Sequence, residues 1–144
     1  MTNLVLSRRL LLASTALIAV PSQLFAATAS PEGAKVYFIA PHNGARVKSP
    51  VTVVFGLKGM GVTHAGDEFK NAGHHHLLID VTEPLDPDDS IPADKNHVHF
   101  GAGQTEASIE LAKGPHTLQL VLGDANHQPF NPSVQSAKIH ITVI

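Results

Sequence analysis

The chain contains no cysteine. That excludes disulfide staples, thiolate metal ligands and a cysteine nucleophile. Stability must then come from burial, and any metal must be held by histidine, carboxylate or methionine. Methionine is nearly missing as well, since Met60 is the only one beyond Met1. Charge is sparse, 15% of residues, and the net value is −2. Such a balance argues against nucleic acid or an anionic membrane as the main partner. Gly-x-Ser-x-Gly and His-Glu-x-x-His are both absent, so neither a serine-hydrolase elbow nor a zincin helix is expected. No internal repeat, low-complexity tract or amphipathic helical pattern interrupts the chain.

The amino terminus reads as a leader. Arg8 and Arg9 precede the apolar run LLLASTALIAV at 10–20, and small residues follow, with Ala26, Ala27 and Ala29. This is the order of a secretory signal peptide. The run falls short of the roughly 20 residues needed to span a bilayer. Cleavage is expected after Ala26 or after Ala29. Ser7-Arg8-Arg9-Leu10 fits either a twin-arginine export signal or an ordinary secretory one. The expected organisation is therefore a signal peptide over 1–29 and one periplasmic or secreted domain over 30–144. It should keep no stable membrane insertion after cleavage. Without Arg8 and Arg9, eight basic face twelve acidic side chains, a net −4 with neutral histidines.

The remaining chain alternates apolar and polar residues in short segments separated by turn signals. Strands are expected at 35–40, 51–57, 74–81, 97–100, 105–111, 116–122 and 138–144. Asn43-Gly44, Gly101-Ala102-Gly103 and Lys113-Gly114-Pro115 mark turns. Residues 82–96 are acidic and proline-rich, a solvated loop rather than a strand or helix. Seven strands without a helix predict an all-β fold, an immunoglobulin-like antiparallel β-sandwich.

Histidine is abundant where other chemistry is scarce. All ten histidines lie in the expected domain. They include the runs Gly73-His74-His75-His76 and His97-Val98-His99. In a strand, residues i and i+2 share a face, about 6.5 Å apart, so each His-x-His pair can reach one ion above the strand. His74, His76, His97 and His99 are the candidate ligands, with His127 from a late loop to complete the set. Imidazoles without thiolate suit Cu²⁺ or Zn²⁺. Alternation puts His75 with Leu77 and Ile79 on the apolar face, where it can support the ligands unless the register makes it one itself. Asp80, Gln104 and Asp124 are further candidates to orient the ligand rings. Gly123-Asp124-Ala125-Asn126 also reads as plain turn chemistry. His116 reads as a strand-end histidine with both ring nitrogens bonded.

Several motifs occur together: VVFGLKGMGV (53–62), GHHHLLID (73–80), IPADKNHVHFGAGQT (91–105) and HTLQLVLGDANH (116–127). With them the chain resembles a family of small secreted bacterial domains, mostly uncharacterised, some carrying a label as rod-shape-determining proteins. The resemblance implies that His74, His75, His76, His97, His99, His116 and His127 belong to the recurring pattern. His42, His64 and His140 fall outside it. The leading expectation is a non-enzymatic periplasmic protein that holds Cu²⁺ or Zn²⁺ for trafficking, buffering or delivery. An envelope protein is a further possible partner. The alternative is a metal-free cell-envelope interaction module with a structural histidine network. A metal-dependent hydrolase or oxidase ranks last, because no general base is evident.

Overall fold

The computed structural model describes residues 27–144, so the expected leader lies outside the described residues except for its last three positions. Nine strands follow in order: β1 Lys35–Ala40, β2 Arg46–Val47, β3 Val51–Lys58, β4 Gly61–Val62, β5 Ala72–Ile79, β6 His97–Phe100, β7 Glu106–Ile109, β8 Gly114–Gly123 and β9 Ile139–Val143. The described residues contain no helix. The fold is an all-β sandwich of two sheets. One has the order β1-β3-β7; the other runs β2-β9-β8-β5-β4, with β6 also paired to β5.

The seven expected strands are all present. The two additions, β2 and β4, are two residues long and pair in parallel, β2 with β9 and β4 with β5. Their pairings make the larger sheet mixed rather than purely antiparallel. Segments this short leave no alternation to read.

The core follows from period-2 patterning. Val51, Val53 and Phe55 of β3 point inward, and Thr52 points out. They meet Leu77 and Ile79 of β5, Leu118, Leu120 and Leu122 of β8, and Ile139, Ile141 and Val143 of β9. Burying each such side chain contributes about 1.5–3 kcal/mol. β-Branched residues dominate β3 and β9, which suits a pleated surface.

β5 departs from the simple half-buried strand, because every residue from Gly73 to Ile79 is buried. One face enters the main core. The other carries Leu78, which packs on Ile91 and Val121 in a smaller apolar cluster. The rest of that second face is His74 and His76. β5 ends at Asp80, whose φ of 56° leaves the strand region. The acidic, proline-rich segment 82–96 then leads to β6.

Candidate metal centre

The register of three strands builds the site. His76 of β5 stands opposite His99 of β6 on one side and Val121 of β8 on the other. His74 precedes His76 on the same face and pairs with Gly123 at the end of β8. Beyond Gly123 the chain turns through 124–128 and returns as the Gly123–Pro129 bridge. That turn presents His127. Four imidazoles converge as a result. Ring centroids lie 4.8 Å apart for His74–His76 and for His99–His127. They lie 4.9 Å apart for His74–His99, 5.0 Å for His74–His127 and 5.1 Å for His76–His99. The widest pair is His76–His127 at 6.1 Å.

His74, His99 and His127 each offer a ring nitrogen, all within 4.8 Å of one another. Three histidines thus lie close enough to bind a metal ion. His76 adjoins the trio through a 3.0 Å contact between its Nε2 and Nε2 of His74. One ring must donate and the other accept, so this pair holds complementary tautomers.

The surroundings of His74, His76 and His99 favour the neutral ring. Burial, followed by the neighbouring imidazoles, pushes His74 down to about 4, with Asp124 pulling the other way. Burial and the same neighbours push His76 down to about 3. Burial and His127 lower His99. A metal needs neutral imidazole, so the pocket supplies the ligand form across the physiological range. The pocket is also under-bonded. His74 Nδ1, His76 Nδ1 and His99 Nε2 are buried without a hydrogen-bond partner among the described residues. Each such group is unfavourable by about 1–3 kcal/mol until it is satisfied.

Two glycines make room for the rings. A Cβ on Gly123 would lie 2.8 Å from His76 Nε2 and 3.5 Å from His74 Nε2. A Cβ on Gly101 would lie 2.3 Å from His99 Cε1. Both glycines are required for space, not for an unusual φ. In the sequence they looked like turn punctuation, which is why their contribution was missed.

The other candidate residues lie elsewhere. His97 shares the face of His99, but it stands opposite Leu78, one pleat further along β5. Its Nδ1 bonds Asp94 Oδ1 at 2.9 Å. The structure therefore does not bring His97 to the four imidazoles. It lines a cleft of about 470 Å³ under the 82–96 loop, which none of the four clustered rings lines. His75 points into the main core. Its ring sits 5.0 Å from Phe55, and its Nδ1 bonds the Gln104 carbonyl at 3.2 Å. Gln104 thus acts on His75, and its side-chain oxygen accepts from Ala102 N. Asp80 is remote from the cluster as well. Its Oδ2 accepts a hydrogen bond from His116 Nδ1 at 2.7 Å, and its Oδ1 accepts from Thr117 N. His116 Nε2 donates to Ala112 O at 2.9 Å, so both ring nitrogens of His116 are bonded.

Asp124 is the one candidate support that borders the site, and it does so through turn chemistry. Its Oδ1 accepts from the amides of Asn126 and Gln128, which flank His127.

This geometry defines the class: a small all-β domain with a cluster of buried and half-buried imidazoles close enough together to bind a metal ion. The chain belongs to a family described as a domain of unknown function, DUF4399, whose sequence profile matches residues 53–144. The match holds all four clustered histidines and leaves β1, β2 and Thr28 outside it. The family description assigns no function and does not bear on the rod-shape-determining label. No curated protein and no solved structure matches the chain.

Proposed function

We propose that the domain is a periplasmic or secreted metal-binding protein. It holds one Cu²⁺ or Zn²⁺ through His74, His99 and His127, with His76 as the fourth imidazole. The observation that carries this reading is the convergence of ring nitrogens of His74, His99 and His127 within 4.8 Å, in a cluster where His74 Nδ1, His76 Nδ1 and His99 Nε2 are buried without a hydrogen-bond partner among the described residues. Binding an ion satisfies them, and the desolvated pocket favours the neutral ligand form. The donor set favours divalent ions over Cu(I), which draws on sulfur. Met60 packs against the main core. The amino-terminal leader read in the sequence supports a location outside the cytoplasm.

Holding and delivery suit the site better than catalysis. Asp124, the carboxylate whose charge acts on His74, has both oxygens engaged by neighbouring donors. A general base must reach the reacting water, and the Asp124 oxygens are directed at the Thr28 hydroxyl and two turn amides.

The test is elemental analysis of protein purified without an affinity tag from its own periplasm. About one equivalent of copper or zinc is expected. His99→Ala combined with His127→Ala should abolish uptake and leave the sheet folded by circular dichroism. Undiminished affinity in that variant sinks the site. A second reading rests on the His74–His76 hydrogen bond. There the imidazoles bond one another and form the rigid polar floor of an interaction module. It requires a melting temperature indifferent to chelator and to added Cu²⁺ or Zn²⁺.

A further inference from the structure

The described chain begins with a segment packed against the turn that carries His127. Thr28 O accepts from Asn131 N at 2.9 Å, and Ser30 N donates to Asn131 O at 3.2 Å, around the parallel Ala29–Asn131 bridge. Ser30 Oγ donates to Pro132 O at 2.7 Å. Residues 28–30 are thus bonded in place as part of the domain.

The side chain of Thr28 makes a more specific contact. Its hydroxyl donates to Asp124 Oδ2 at 2.6 Å. That is a short, charge-assisted bond. Asp124 is 3% exposed. A carboxylate this buried must find its donors within the protein. It has three: the hydroxyl of Thr28 on Oδ2, and the amides of Asn126 and Gln128 on Oδ1 at 2.8 and 3.0 Å. His127 sits between those two amides with φ 64°, in the left-handed region that few side-chain-bearing residues occupy. Its own amide donates to Asp124 O at 3.0 Å, and its carbonyl accepts from Ile91 N at 2.7 Å. An uncommon backbone state persists only where its surroundings enforce it.

We infer that Thr28 is a positioning residue of the metal centre, acting through the Asp124 carboxylate to hold His127 over the other imidazoles. The inference rests on the metal-binding reading above. It assigns the amino-terminal segment a place in the site, although that segment lies outside the residues shared with the family. It also requires that export leave Thr28 on the chain, with the cut after Ala26 and not after Ala29.

The test uses protein as the cell exports it, with intact mass and amino-terminal sequence recorded first. A chain beginning at Ala27 is expected; one beginning at Ser30 overturns the inference. Thr28→Val removes the hydroxyl and keeps the shape. Thr28→Ser keeps the hydroxyl. Titration with Zn²⁺ and Cu²⁺ should show affinity about 10-fold weaker in the Val variant, and within about 2-fold of the parent in the Ser variant. Equal affinity in parent and Val variant overturns the inference, as does a Ser variant as weak as the Val one. A metal-free readout separates this failure from that of the metal reading. In the Val variant the amide resonances of Asn126, His127 and Gln128 should shift and their exchange quicken, with the β5 and β8 amides unmoved. Unchanged turn amides overturn the positioning role alone. A parent that takes up neither ion overturns the metal reading, and this role with it.

Discussion

His97 and His99 show how much of a site two neighbouring residues can decide. They share a strand face, yet one ring joins the cluster and the other turns to Asp94. Alternation reports which face a side chain takes, but not what stands beside it along that face. The shared face was legible in the sequence; the distance to the partners required the β5–β6 register. His97→Ala should therefore leave metal affinity within about 2-fold of the parent, while His99→Ala should weaken it by at least about 10-fold. Parallel titrations of the two variants check this. The glycines extend the same lesson. Gly123→Ala puts a methyl where the His74 and His76 rings meet. Overpacking of this kind is unfavourable by about 1–3 kcal/mol. The variant should lower stability by that amount and weaken metal binding, as read by urea unfolding and titration of one preparation. Nothing in the string separates a glycine kept for space from one kept for a turn.

At the scale of elements, β5 does two jobs because both its faces are buried. Its triple histidine splits between them. His75 goes to Phe55 and the core; His74 and His76 go to the cluster. The split was readable from period 2 alone, as were all seven longer strands. The two-residue strands were not, and neither was the anchoring of residues 28–30, which depends on a contact with the far end of the chain. The carboxyl end of β5 is tied to the start of β8 by Asp80 and His116. Burial opposes the charge on His116, but the Asp80 carboxylate and the Ala112 carbonyl outweigh it and raise its pKa. Burial likewise pulls Asp80 upward, yet its bonds to Thr117 and His116 leave it lowered. The His116 contribution is full below the unfolded value of 6.5 and is lost as pH rises through the raised folded value. The Asp80 contribution is present above its unfolded value of 3.8 and is lost as pH falls through the depressed folded one. Since Asp80 is partly exposed, the pair contributes no more than about 1 kcal/mol. Metal-free unfolding should show this alkaline decline in the parent and a flatter profile in His116→Gln.

Across the whole molecule the imidazole cluster bends the pH profile the other way. His74 and His76 are held at about 4 and about 3, below the unfolded value of 6.5. The unfolded chain therefore binds protons that the folded one refuses, and metal-free stability falls as pH drops from about 6.5. Bound metal adds stability by mass action, about 2.7 kcal/mol at 100 times Kd. For a domain of this size that corresponds to a rise in Tm of about 10 °C at neutral pH. Calorimetry with and without Zn²⁺ or Cu²⁺, repeated at pH 7 and pH 5, checks both effects.

The clustered imidazoles come from β5, from β6 and from a turn after β8, and the inferred brace of that turn comes from the amino-terminal segment. The four rings meet only once β5 has paired with β6 and β8. On the metal-binding reading, loading would then be a late event in folding, and the ion acquired would be the one on offer where folding finishes. An export route that carries folded chains would let the cytoplasmic metal pool fill the site. A route that carries unfolded chains would leave the choice to the pool beyond the membrane. If the two arginines near the start of the chain set that route, they would act as selectors of metal as well as of address.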